Sequence, residues 1–318
     1  LTNNATIMNE GFFGIEASFV AVINNSGTLF NVGAGAQINN NGLIGNSGRI
    51  VNAAEIQNNG EVDNSGLINV TNIGQIDNNN LSILINSGTI ANTGVVINNG
   101  RITNNNNGTF TDAGMVTGTG TYVQDDPAAF TKVTGTMSQA GVFINGGTLG
   151  LSGGKINTPD FSCTNCTINL ADPGTSTING SFTDDNGTIK IQIAGTGPGQ
   201  YDVLDINGPA SYTGMDALNF DFIDGFAPSA GDLFNFMTAE EIDLSGLTGP
   251  FDISFAGLAP GAEFTLDIDP VAGSFTLLAD NNTTPAPEPG NIGLLIVGLV
   301  GTGIARRRWA KRVQRTVE

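Results

Sequence analysis

The sequence predicts an all-β fold: a β-solenoid (parallel β-helix) with a β-rich C-terminal capping region and a single C-terminal transmembrane helix. Three observations predict it. A six-residue Asn-Gly phrase recurs between Gly42 and Val116, a Phe- and Asp-rich stretch runs toward residue 280, and an uncharged apolar run followed by arginines ends the chain. These divide the chain into residues 1–124 (Asn/Gly-rich hexad solenoid), 125–284 (less regular solenoid coils and capping region) and 285–318 (Pro-rich linker, apolar segment and basic terminus).

The first element is the repeat. Its phrase is Asn, a small residue or second Asn, Gly, any residue, then Ile or Val, as in Asn46-Ser47-Gly48-Arg49-Ile50 and Asn58-Asn59-Gly60-Glu61-Val62. The apolar position falls at Ile44, Ile50, Ile56, Val62, Ile68, Ile76, Ile90, Val96, Ile102, Phe110 and Val116. Most steps are six residues, which fits neither helical spacing nor simple alternation, and Gly or Asn at each step breaks a helix. A short fixed period is the mark of a solenoid. Each hexad then supplies a short strand with its Ile or Val turned inward, and Asn-Gly is expected to supply left-handed backbone at the corner. Like residues stack on like, giving aliphatic stacks inside and Asn ladders at the corners. At ~18 residues per three-sided coil, the repeat makes about four coils, each rising roughly 4.8 Å. The chain opens at Leu1 inside similar text, without initiating Met, basic n-region or apolar h-region, so the natural N-terminus is expected to lie upstream.

The second element begins at Asp125-Asp126-Pro127, where the Asn-Gly pattern stops. Residues 1–124 hold 27 of the 39 Asn but five of the 18 Phe; residues 125–284 hold the other 13 Phe and 20 of the 29 acids. Runs such as Gly141–Leu149 and Gly187–Ile193 read as further coils of the same stack. The segment Gly199–Gly208 followed by Phe226–Phe236 resembles the terminal coils of autotransporter and other adhesin-like β-helices, in which it would close the stack. Independently of that resemblance, an open solenoid end needs an aromatic-rich cover.

Composition excludes several chemistries. With no His there is no Ser-His-Asp triad, Cys-His pair or His-ligated metal. Residues 1–305 carry 5 positive and 28 negative charges, which argues against nucleic acid as a partner. Scarce Arg and Lys also disfavour cleavage of acidic polysaccharide. Carboxylate pairs occur at Asp184-Asp185, Asp221 with Asp224, Glu240-Glu241, and Asp267 with Asp269. They read first as a solvated face, with low-affinity Ca²⁺ and a catalytic pair as alternatives. Cys163 and Cys166 read as a local disulfide at a coil corner, the alternatives being a reduced pair or redox or metal chemistry. No catalytic, cofactor-binding or metal-ligating residue is assigned, and no cofactor is expected.

The third element is the tail. Gly290 to Ala305 carries no charge, and residues 292–305 form the membrane-spanning candidate, short but extended by Arg snorkelling and by Trp309. Six basic residues follow, which places the C-terminus in the cytoplasm. Pro287-Glu288-Pro289, the apolar segment and the Arg306-Arg307-Arg308 cluster, in that order at the chain end, resemble the PEP-CTERM protein-sorting signal of Gram-negative bacteria. The resemblance covers about the last 30 residues; the ten residues after the Arg triplet depart from it. It implies export, transient inner-membrane anchoring through residues 292–305, and recognition of Pro287, Glu288 and Pro289 by an exosortase-type processing enzyme. Arg306, Arg307 and Arg308 would be the stop-transfer cluster, and the body would reach the cell surface or extracellular matrix.

The expected function is accordingly a non-enzymatic surface or matrix protein, an acidic solenoid spacer or adhesin whose partners are extracellular polysaccharide or other surface proteins. The alternatives are a β-helix polysaccharide-cleaving enzyme and a permanently membrane-anchored stalk.

Overall fold

The structure, a computed structural model, describes residues 1–15, 22–258, 261–280 and 309–313. Every regular element among the described residues is a β-strand. Each hexad forms one side of a three-sided coil: Leu43–Asn46, Arg49–Asn52 and Glu55–Asn58 make one circuit. Glu61–Asn64 then lies parallel and in register on Leu43–Asn46. The chain is therefore a parallel β-solenoid.

Coil length follows from the corners. Asn46 and Asn64 are 18 residues apart, Asn58 and Asn78 are 20, and Asn64 and Asn86 are 22. The extra residues sit in widened corners such as Asn79–Ser82, so the strands stay in register. The fourteen-residue step between Ile76 and Ile90 contains a further inward position, the buried Leu84 of strand Ile83–Asn86. The face that starts at Thr6–Asn9 and ends at Asp252–Ala256 has twelve strands. Stacking runs through residues 125–127 without a break: Thr121–Gln124 pairs with Gly141–Ile144, and Thr109–Asp112 with Phe130–Val133.

Most strands of the repeat bury their second and fourth residues. The second is aliphatic, so Ile44, Val62, Leu84 and Ile102 form a continuous inner stack. Each such side chain contributes about 1.5–3 kcal/mol through burial. The fourth is Asn, which lies inside the coil just before the corner. Asn46 donates to Asn64 Oδ1 at 2.7 Å, Asn64 to Asn86 Oδ1 at 2.8 Å, and Asn86 to Asn104 Oδ1 at 2.8 Å. The same amide nitrogens reach the main chain of the next coil, as from Asn64 to Thr89 O at 3.0 Å. A buried amide is tolerable because its donors and acceptor are matched in this way.

The repeat glycines serve a different purpose from the one expected. Gly48 and Gly66 are not among the residues with positive φ. Instead, a Cβ at Gly48 would collide with the carbonyl oxygen of Gly27, and one at Gly66 with that of Gly48, in the coil beneath. Glycine is needed for close approach between coils. Left-handed backbone occurs in the widened corners, at Leu81 (φ 67°) and at Asn106 and Asn107.

Toward the C-terminus the coils lengthen: Asn179 and Asn207 are 28 residues apart, Asp205 and Thr238 are 33. The interior changes from aliphatic and amide to aromatic, with Phe182, Tyr212, Phe220, Phe236 and Phe275 all buried. Parallel stacking then ends. Ser274–Ala279 runs antiparallel between Leu233–Thr238 and Phe264–Asp269, closing this end of the stack. Trp309–Val313 pairs antiparallel along Phe264–Asp269. Pro287 to Pro289, residues 292–305 and Arg306 to Arg308 lie outside the described residues. Among the described residues no helix is long and apolar enough to cross a membrane.

Candidate functional site

The greatest concentration of unusual chemistry lies at one corner, where successive coils carry Cys163–Cys166, Asp184–Gly187 and Tyr212–Asp216. Parallel register puts Asp184 on Cys163 and Tyr212 on Asp184. Past the turn, the Thr188 N–H donates to Cys166 O and the Ala217 N–H to Gly187 O, both at 2.9 Å, so Cys166, Gly187 and Asp216 form a second column. Cys163 and Cys166 are both buried and joined by a disulfide across the corner, with Asn165 between them at φ 50°. So tight a loop contributes little through chain entropy.

Directly above the disulfide, Asp184 takes the inward position that Asn holds in the earlier coils. Its side chain is fully buried, and neither carboxylate oxygen has a hydrogen-bond partner. The Asp185 N–H is near enough to favour the ionised form slightly but does not reach hydrogen-bonding geometry. Burial, reinforced by the charges of Asp216 and Asp185, holds the Asp184 carboxyl well above the usual range. Asp216 is also buried; its Oδ1 accepts the Gly187 N–H at 2.9 Å, while its Oδ2 has no partner. Burial pushes Asp216 to about 6. Tyr212 is raised too, by burial and then by these two carboxylates, and its hydroxyl donates to Met237 Sδ.

The acids singled out in the sequence separate by exposure. Asp184 points inward while Asp185 is half-buried; Asp221, Asp224, Glu240 and Glu241 are exposed; Asp267 and Asp269 are half-buried. The coil period creates two pairs that sequence proximity hides. One is Asp184 with Asp216. The other is Glu55 with Asp77 on neighbouring strands, where burial and the Glu55 charge raise Asp77. Gln57 donates to Glu55 and Gln75 to Asp77, each at 2.7 Å.

Two surface depressions lie away from this corner. An apolar groove of about 450 Å³ at the capped end is lined by Leu244, Leu247, Phe251, Leu266 and Ile268, with no carboxylate on its wall. A shallower one of about 560 Å³ is walled by Gly33, Ala34, Ala53, Ala54 and Ile73, with Glu55 as its one carboxylate. Arg101 forms an ion pair with Asp125, at 3.3 Å. Compared with known proteins, the chain matches no family model, no curated protein and no solved structure.

Proposed function

We propose that this protein is a non-enzymatic component of a bacterial surface or extracellular matrix, an acidic spacer or adhesin delivered by its C-terminal sorting segment. The observation that carries the reading is the unbroken twelve-stranded face. At about 4.8 Å per rung it makes a rod of roughly 55 Å, cross-linked internally by amide ladders. Such a rod holds its ends apart with few moving parts, while excess negative charge on residues 1–305 keeps copies from associating indiscriminately. The order Pro287-Glu288-Pro289, residues 292–305, Arg306 to Arg308 supports export with transient anchoring and exosortase-type processing. Anchoring requires Trp309–Val313 to leave the Phe264–Asp269 edge.

Polysaccharide cleavage is the weaker reading: it needs two carboxylates facing a groove, whereas Asp184 and Asp216 are buried and the apolar groove has none on its wall. The test is the intact mass of the protein recovered from its host's surface or medium. A chain ending near Pro287 to Pro289 is expected. A chain still carrying residues 292–318 in the membrane fraction would leave a permanently anchored stalk instead.

A further inference from the structure

We propose that the corner built by Asp184, Gly187 and Asp216 binds one small hard cation of the Ca²⁺ class. Three carboxylate oxygens there, Asp184 Oδ1 and Oδ2 and Asp216 Oδ2, have no hydrogen-bond partner, and both residues are essentially excluded from solvent. Buried carboxylates are retained when a partner of opposite charge or a set of donors compensates them. Here the one donor in hydrogen-bonding geometry is the Gly187 N–H to Asp216 Oδ1, and the Arg101–Asp125 ion pair lies elsewhere.

The two side chains both lie against Gly187. Asp184 Oδ1 occupies the space that a Cβ on Gly187 would fill, and the N–H of the same Gly187 goes to Asp216 Oδ1. The Gly187 N–H thus holds one oxygen of Asp216 and leaves its other oxygen, with both of Asp184's, without a donor. A proton shared between the two carboxyls would satisfy two of these three oxygens, whereas a cation accommodates all three. Oxygen-only ligation selects a hard ion such as Ca²⁺. Among the described residues no group of three or more His, Cys, Asp or Glu converges on one point. The ion therefore has two side-chain ligands and completes its shell with main-chain carbonyls or water. Its dissociation constant belongs in the range of weak extracellular sites, about 10⁻⁴–10⁻³ M.

The experiment uses the full chain at constant ionic strength. With about 5 mM Ca²⁺ in place of chelator, the midpoint of thermal unfolding is expected to rise by about 2–4 °C. Asp184→Asn should abolish that rise while remaining folded, because the amide removes a buried charge without changing shape. Tb³⁺ supplies an independent readout, since Tyr212 lies directly above Asp184 and can sensitise its emission. Emission under tyrosine excitation should be displaced by Ca²⁺ and be lost in both Asp184→Asn and Tyr212→Phe. The Tyr212→Phe variant should keep its Ca²⁺-dependent rise in midpoint. Two results would each overturn the site: a wild-type midpoint indifferent to Ca²⁺, or an undiminished Ca²⁺ response in Asp184→Asn.

Discussion

Asn92 donates to Asp112 Oδ1 at 2.7 Å, and Asp112 ends that ladder. Above it in register is Val133, which offers no acceptor. An acceptor-only residue receives the upward-pointing amide of Asn92, beneath which Val70 interrupts the column, but at the expense of a buried charge: Asp112 Oδ2 is unpartnered, and burial pushes the carboxyl to about 6. Ionising it at neutral pH costs roughly 2–3 kcal/mol relative to the unfolded chain. Asp112→Asn leaves one orphaned N–H, a smaller penalty. Urea denaturation should therefore find Asp112→Asn more stable than the parent at pH 7.5, by about 1 kcal/mol or more, with the advantage shrinking at pH 5. A loss of stability at both values would mean that the ladder end depends on the carboxylate itself.

The same sign holds for the other buried acids. Asp202 and Asp216 are raised by burial to about 7 and about 6, and Asp184 lies well above its usual value. Raised folded-state values mean that the native protein binds more protons than the unfolded chain between about pH 4 and pH 7. Stability should then fall as pH rises across that window, the reverse of a protein whose carboxylates are salt-bridged. Chelator-treated protein should unfold at a lower temperature at pH 8 than at pH 5. Equal midpoints at the two values would show that the acids are compensated within the fold.

The solenoid was legible because Ile and Val recur at the spacing of one coil side, a signal that no helix or hairpin reproduces. Leu84 escaped it, since in Ile83-Leu84-Ile85 three apolar residues hide which one turns inward. The glycines were legible as necessary but not as to cause, because sequence alone does not separate a left-handed corner from a coil-to-coil approach. The acid corner was half legible: Asp184 stood out beside Asp185, its neighbour on the opposite face. Its true companion, Asp216, is 32 positions on, in coils that have lengthened past the repeat period. Cys163 and Cys166 needed no period, being neighbours in sequence and at the corner alike.

Close approach and backbone handedness make different demands on glycine, and substitution separates them. At Gly66 an added Cβ meets Gly48 O and, at 2.7 and 2.9 Å, Ser47 C and Gly48 N, all main-chain atoms that cannot rotate away. Gly66→Ala should cost roughly 3 kcal/mol or more. At Gly153 the space is open but φ is +65°, so Gly153→Ala should cost only about 1 kcal/mol. Chemical denaturation of the two variants checks the ranking, and a mild Gly66→Ala would mean that neighbouring coils can separate at little cost.

The amide ladders make the strongest claim on the interior, because they put polar groups where an aliphatic core would serve. Asn64 accepts from Asn46 at 2.7 Å and donates to Asn86 Oδ1 at 2.8 Å and to Thr89 O at 3.0 Å. Asn64→Ala removes these three bonds and a longer one to Gly66 O at 3.2 Å, leaves the Asn46 amide without its upward acceptor and opens a gap in a closed column. At about 1 kcal/mol per bond, with a further penalty for each buried orphan, the loss should exceed roughly 3 kcal/mol. Asn69, at an outward position on the next side of the same coil, serves as the control. Asn69→Ala should stay within about 0.5 kcal/mol of the parent. If the two variants unfold at the same denaturant concentration, side-chain continuity between coils adds little, and the parallel main-chain ladders with their aliphatic stack hold the rod on their own.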